Sequence, residues 1–218
     1  MQTQTTFLAA GKISQPMREE FARALNFRFA CKRFDPAKPV ADADLTYILE
    51  AGRLSPSSLG LEPWRFLVLR DEALRRRLRP SCWNQNQITT AGAVVVILAL
   101  KALLAPESDY PRKMLARLLP PGADLGETMK LYGGIAQGHR VAWSVAQCHI
   151  AAANMMTAAA VIGVDTCPIG GFEPEAVAEI LGIDREKYAV ALIVAVGYRG
   201  QTQPPKHRLP LSELVTYR

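Results

Sequence analysis

Three stretches of the chain have hydrophobic patterns that predict strands. Residues 93–99 form an unbroken apolar run, which is typical of a strand buried on both faces. Residues 189–196 repeat that pattern near the end of the chain, and residues 64–69 follow Pro63 with aromatic and aliphatic side chains. The spacing of these runs predicts one central sheet.

Apolar residues at helical spacing, together with start signals, predict helices around that sheet. Ser14 and Asp42 are the predicted N-caps of the first two helices, and Pro16 and Pro174 suit first turns. The predicted helices cover residues 14–25, 42–52, 70–79 and 174–181. Residues 106–139 are rich in proline and glycine and predict a mobile excursion at a substrate entrance, with a short helix near residues 112–118.

Residues 141–162 predict a long helix that is apolar or small on nearly every face. Interspersed polar residues, among them Ser144, Gln147 and Asn154, argue against a membrane span. A helix of this composition is either central to the fold or buried in a subunit interface.

Composition narrows the class of protein. With 218 residues, 49% of them hydrophobic, the chain can bury the core of one domain, in which residues 1–14 are expected to form a flexible N-terminal extension. The apolar patch in that extension is too short for a signal peptide, and the four cysteines form no CxxC pair, so we expect reduced thiols and a cytoplasmic location. The net charge of +6 is dispersed, which argues against nucleic acid and is compatible with a phosphorylated cofactor.

Four polar or glycine-rich segments stand beside these elements and are candidates for ligand binding. A loop of small hydroxyl residues precedes the first strand, although an ordinary turn would have the same composition. An amide cluster precedes the second strand, two glycines follow Pro168 and Ile169, and Lys206 and Arg208 lie in a proline-rich tail. No Ser/His/Asp set, metal-ligand spacing or phosphate-binding loop is present in the sequence.

Taken together and in this order, the segments resemble the nitroreductase family of flavin mononucleotide (FMN) enzymes. The matching motifs are Arg28 with Lys32, the loop at Pro56, Ser57 and Ser58, the pair Asn84 and Gln87, the turn from Pro168 to Gly171, and Lys206 with Arg208. The resemblance implies FMN-binding residues at Arg28, Phe29, Ala30, Lys32, Pro56, Ser57, Ser58, Leu59, Gly60, Asn84, Gln87, Pro168, Ile169, Gly170, Gly171, Lys206 and Arg208.

The resemblance also implies a role for each group. Arg28, Lys206 and Arg208 would bind the phosphate, Lys32 would lie beside flavin N1, and the Gly170 N–H would face N5. Asn84 and Gln87 would reach the pyrimidine edge, with their register against Gln85 and Asn86 left open. No protein residue is expected to act as the catalyst, because the flavin carries the chemistry.

The implied fold is α+β, a mostly antiparallel sheet flanked by helices in an intertwined homodimer. In the family pattern the loop at residues 56–60 enters the flavin site of the opposite subunit, and a segment near residues 214–217 reaches onto the partner. This chain departs from many relatives by having Gly170 in place of glutamate, Glu62 in place of glutamine and Phe29 in place of a polar residue.

The resemblance implies an oxidoreductase that takes hydride from NADH or NADPH and reduces a small-molecule acceptor, a nitroaromatic, quinone or similar compound, by a ping-pong mechanism. Two alternatives remain open at this point. One is a flavin-dependent oxidase or dehalogenase on the same scaffold, and the other is a flavin-binding protein without turnover.

Overall fold

The computed structural model describes residues 15–120, 122–135 and 138–218. Its strands are β1 (Trp64–Leu69), β2 (Ala93–Leu100), β3 (Asp165–Ile169) and β4 (Tyr188–Gly197). Among the described residues, these four strands form one antiparallel sheet in the order β1-β2-β4-β3. The predicted α+β class with an antiparallel sheet is confirmed, while the expectations for residues 1–14, including the Ser14 cap, lie outside the described residues.

Helices cover both faces of the sheet. They are α1 (Gln15–Phe27), α2 (Asp42–Arg53), α3 (Glu72–Leu78), α4 (Gln87–Thr90), α5 (Asp109–Ala116), α6 (Leu125–Ile135), α7 (Arg140–Val161), α8 (Pro174–Leu181) and α9 (Leu211–Leu214). None of the described helices combines the length and apolar character needed to cross a bilayer.

Strand β2 is buried at every position, as its unbroken apolar run predicts. Val94, Val96 and Leu98 pack in one core with α3, α4 and α8, whereas Val95 and Ile97 pack in a second core with α2 and α7. Successive side chains of a strand point to opposite faces, so one apolar run fills both cores. The sheet is therefore the middle layer of the fold.

Helix α7, expected to be either central to the fold or buried in a subunit interface, is not buried on all sides within the single chain. One face, which includes Cys148, Ala152 and Met155, is buried against the sheet and α2. The other face leaves Ile150 and Val161 about two-fifths exposed, at 39% and 41%. An apolar face therefore remains on the surface of the single chain.

Three local predictions also need correction. Asp42 is the first residue of α2, and the N-cap is Ala41, which makes no side-chain capping bond. The segment predicted as an excursion with one short helix contains both α5 and α6. Asp165–Ile169, predicted as part of a turn, forms edge strand β3 against β4, so the turn begins only at Gly170.

Candidate functional site

The end of α1 leads into a segment that runs beside β3. The chain leaves the helix after Phe27, Ala30 forms a parallel bridge with Thr166, and the Cys31 N–H donates to the Thr166 carbonyl over 3.1 Å. Arg28 and Lys32 therefore do not share a helical face, as a continued helix would have required. The extended backbone instead carries Arg28 toward the C-terminal tail and Lys32 toward β3.

A cleft of about 350 Å³ lies between this segment and the tail. It is lined by Arg28, Phe29, Ala30, Gln203, Pro204, Pro205, Lys206, His207 and Arg208. The structure thus brings together all three predicted phosphate-binding cations, Arg28, Lys206 and Arg208. The Phe29 side chain is buried in the core, so that residue can offer a ligand chiefly its backbone.

Lys206 is anchored in this cleft. Its Nζ donates to the carbonyl oxygens of Leu25 and Arg28 over 2.7 and 2.6 Å, which leaves one of the three ammonium N–H groups free for an anion. Partial burial, followed by the charges of Arg28 and Arg208, lowers the pKa of Lys206. Three cations gathered around one cleft favour a ligand with negative charge.

Lys32 lies at the other end of the segment, next to β3. Its Nζ is 3.5 Å from the sulfur of Cys167, and Gln87 Nε2 is 3.8 Å from the same sulfur. Burial raises the pKa of the Cys167 thiol, while Lys32 and Gln87 act in the opposite direction. The structure therefore places Lys32 and Gln87 around one buried thiol, although they are distant in sequence.

The turn after β3 has an exposed glycine and a covered one. Gly170 is exposed, a Cβ at this position would meet no atom within 4 Å, and its N–H forms no backbone hydrogen bond to the described residues. A Cβ on Gly171 would lie 2.5 Å from the ring of Trp83, so this glycine is required by the close approach of the indole. Pro168 and Ile169 belong to β3, and Ile169 is a core residue.

Two residues of the site, Gln85 and Trp83, were not among the predicted binding residues, although Gln85 was left open as an alternative register. Gln85 Nε2 donates to the Gly171 carbonyl over 2.8 Å and its Oε1 accepts from Gln87, so Gln85 joins the amide cluster to the glycine turn. Trp83 lies on Gly171 and donates from Nε1 to Glu173 over 2.9 Å. The adjacent tryptophan and amides in residues 83–87 were the available sequence signal, but periodicity does not indicate which of them faces the turn.

Asn84 is exposed, and its backbone is in the left-handed region with φ 55°. Arg79 holds this loop by donating from Nε to the Asn84 carbonyl and from Nη2 to Asn86 Oδ1, over 3.0 and 2.7 Å. The Asn84 side chain is thereby free to meet a ligand. Asn86 is engaged in the support of the loop.

The loop of residues 55–62 is fixed by other elements of the fold. Gln147 Oε1 accepts from the Ser58 N–H over 2.9 Å, and Tyr110 donates to the Leu61 carbonyl over 2.9 Å. Leu59 and Glu62 hold positive φ angles of 56° and 44°, which are strained for residues with side chains. Within the described residues, this loop forms no hydrogen bond to the other predicted site residues.

The assembled site has cations at one end and a glycine turn with amides at the other. The geometry suits a planar molecule that carries an anionic tail, because backbone groups can approach a flat ring where side chains are absent. Among the described residues, no group of three His, Cys, Asp or Glu side chains could hold a metal ion.

Known proteins are similar in sequence to this one along nearly the whole chain. The model of the nitroreductase family matches residues 25–198. A Staphylococcus haemolyticus protein named "Putative NAD(P)H nitroreductase" is 40% identical over 215 residues, which cover 92% of this chain and 98% of that protein. A Staphylococcus epidermidis protein of the same name is 40% identical over 205 residues, covering 88% and 92%.

Solved structures agree with the fold. A Bacillus subtilis protein described as a "putative nitroreductase" superimposes with a TM-score of 0.80 at 23% identity, covering 92% of this chain and all of that one. A "putative nitroreductase in complex with FMN" from Exiguobacterium sibiricum gives 0.76 at 24% identity, covering 91% and 97%. With its fold, the order of its motifs and these relatives in agreement, the chain belongs to the nitroreductase family.

Proposed function

We propose that this protein is an NAD(P)H-dependent FMN oxidoreductase that reduces nitroaromatic, quinone or related acceptors by a ping-pong mechanism. The observation that carries the proposal is the convergence of Arg28, Lys206 and Arg208 on one cleft. The names of the staphylococcal relatives and the FMN complex of the Exiguobacterium protein support the same cofactors.

The residues present fit FMN. The cleft has the charge to hold a phosphate, and the remaining N–H of Lys206 and the guanidinium groups of Arg28 and Arg208 supply charge-assisted donors. The exposed Gly170 N–H and the Asn84 side chain supply donors for the polar edge of a flat ring. The lowered pKa of Lys206 also fits, because a bound phosphate would relieve the repulsion among the cations.

Bound FMN would supply the capacity to accept hydride from a nicotinamide and deliver electrons to an acceptor. The contribution of this chain is to orient the ring and set the field around it. Lys32 would place a positive charge beside the ring, which favours the reduced and more anionic form. Because there is open space at Gly170, nicotinamide and acceptor would have room to approach the turn in succession.

We infer that the functional unit is a homodimer with flavin sites at the interface. The apolar surface on α7 continues onto α1, where Met17, Phe21 and Leu25 are about half exposed at 57%, 51% and 45%. Contiguous apolar surface of this kind is typical of protein interfaces. The loop of residues 55–62, which within the described part of the chain forms no hydrogen bond to the other predicted site residues, suits the family pattern in which it completes the partner's site.

The proposal is tested with the purified protein and its absorption spectrum. We expect bound FMN, full bleaching on anaerobic titration with NADH or NADPH, and steady-state oxidation of the nicotinamide when a quinone or nitroaromatic is added, with parallel double-reciprocal plots. Bound FMN that neither nicotinamide reduces would indicate a flavin-binding protein without turnover. Failure of the apoprotein to bind FMN would refute the proposal altogether.

A further inference from the structure

The last carbonyl groups of α1 are capped by side chains from the C-terminal part of the chain. The carbonyls of Leu25 and Arg28 accept from Lys206, that of Asn26 accepts from Gln203 over 2.8 Å, and that of Phe27 accepts from Arg199 over 3.3 Å. The final carbonyls of a helix have no partners within the helix, so each needs a donor from elsewhere. The two sides of the cation cleft are therefore joined through the end of α1.

Arg199 is the centre of this arrangement. Its Nε donates to Asp165 Oδ2 over 3.0 Å, and its Nη2 lies 2.7 Å from Oδ1 in an ion-pair contact without hydrogen-bond geometry; the carboxylate is almost fully buried. Its Nη1 donates to Gln203 Oε1 over 2.8 Å, and its Cζ lies 4.0 and 4.8 Å from the ring centres of Phe27 and Phe29. One guanidinium thus contacts β3, the end of α1 and the tail.

We propose that Arg199 is a positioning residue for the phosphate of the ligand. It does not line the cleft itself, but it donates to the Phe27 backbone carbonyl on one side and to the Gln203 side chain on the other, next to the segments from which Arg28, Lys206 and Arg208 extend. The inference rests on the proposed function, because it assumes that the ligand of the cleft is the phosphate of FMN.

The geometry requires arginine in particular. A planar guanidinium carries separate donor nitrogens in one plane and can stack on aromatic rings. Arg199 uses Nε for Asp165, Nη1 for Gln203 and Nη2 for Phe27, whereas the single nitrogen of a lysine at this position would keep the positive charge but could not span all three partners. Charge and positioning can therefore be separated by one conservative substitution.

The test compares FMN with riboflavin, which has the same ring and lacks the phosphate. Apoprotein is titrated with each flavin for the wild type, Arg199→Lys, Arg199→Ala and Asp165→Asn. Removal of a group that orients a metal ligand typically costs about 10- to 100-fold in affinity, and we take the lower end of that range for a residue that positions phosphate-binding cations. We expect a loss of at least about tenfold for FMN, with riboflavin binding nearly unchanged, so the preference for FMN falls in all three variants.

Arg33→Ala is the matched control. Arg33 is an exposed arginine nearby that donates to the Gly200 carbonyl over 3.1 Å and contacts none of the capped carbonyls, so its removal changes net charge equally and should keep the preference for FMN. If Arg199→Ala does not fold, Asp165→Asn still tests the inference.

The outcomes separate the inference from the proposed function. A preference for FMN that is retained in Arg199→Lys and Asp165→Asn would overturn the inference, and so would an equal loss of both flavins, which a purely structural role predicts. A wild-type protein that binds neither flavin would instead refute the proposed function.

Discussion

The ammonium of Lys32 lies 3.5 Å from the sulfur of Cys167, a residue 135 positions later in the chain. The contact exists because the segment after α1 is held beside β3 by the Cys31–Thr166 hydrogen bond. Cys167 is buried in β3 and Lys32 is exposed, so the contact with the thiol holds the lysine ammonium beside this strand. The positive charge therefore lies beside Cys167 of β3, the strand that leads to Gly170.

Lys32→Met should make the reduction potential of bound flavin more negative. Loss of a charge-assisted contact of roughly 1.5–3 kcal/mol corresponds to roughly 30–65 mV for a two-electron couple. The potential is measured by equilibration with reference dyes, and Lys38→Met, which removes an exposed lysine paired with Asp35, is the control. A potential equal to that of the wild type would place Lys32 away from the flavin ring.

Arg208→Ala and Lys206→Ala should have different effects although both remove a cation from the cleft. Each should weaken FMN binding by roughly 1.5–3 kcal/mol, or roughly ten- to a hundredfold in Kd. Only Lys206→Ala should also destabilise the apoprotein, by about 1 kcal/mol, because Lys206 caps α1, whereas the one donation from Arg208 to a described residue goes to its neighbour His207. Flavin titration and urea unfolding of the apoproteins measure the two effects.

That pair of variants has a clear contradictory result. Equal losses of apoprotein stability would show that the carbonyl contacts of Lys206 do not cap the helix. Unchanged FMN binding in both variants would show that the phosphate does not bind in this cleft.

As the pH rises, the affinity for FMN should begin to fall before the pH at which an ordinary lysine loses its proton. The pKa of Lys206 in the apoprotein is lowered, first by burial and then by Arg28 and Arg208, so its charge is lost earlier than usual as pH rises. A bound phosphate favours the charged form, so binding becomes linked to proton uptake above that lowered pKa. Lys206→Arg should flatten the pH dependence of Kd, and an identical profile in this variant would contradict the assignment.

The sheet and most helices could be predicted because their signals are local. The run at residues 93–99 and the pattern after Pro63 predict β2 and β1, whose observed bounds agree closely. Strand β3 could not be found this way, because it is only five residues long and two of them, Asp165 and Pro168, are depleted in strands. Its pairing with β4 and the buried Asp165–Arg199 ion pair stabilise it, and both are long-range contacts.

The candidate site could likewise be predicted only in part. The types of residue expected for a phosphate and a flat ring were visible as motifs, and their order indicated the family. The supports of those residues were not visible, because the partners of Lys206, Lys32 and Gly171 are set by tertiary structure. Gln85 and Trp83 show this most clearly, since each contacts a glycine turn that lies more than 80 residues away in the chain.

The long helix α7 offers a test of the homodimer. What a substitution reports depends on whether its position faces the subunit's own core or the exposed apolar surface. Ala152 is only 1% exposed and packs in the subunit's own core, so Ala152→Glu would bury a carboxylate there and unfold the chain without reporting on the interface. Ile150 is two residues earlier on the helix and lies on the exposed apolar face. A substitution at Ile150 therefore addresses the interface alone.

Ile150→Glu should convert the dimer to a monomer and release flavin with it. In a dimer the new carboxylate would lose its water without gaining a partner, at a cost of several kcal/mol, whereas in a monomer it would remain hydrated. Light scattering and the spectrum of bound flavin are measured on the same sample, with Ile150→Ala as the control that removes apolar area without adding charge. If each site needs the partner's loop, monomer formation and flavin loss should occur together. A folded Ile150→Glu monomer that keeps FMN would show that one chain forms the complete site.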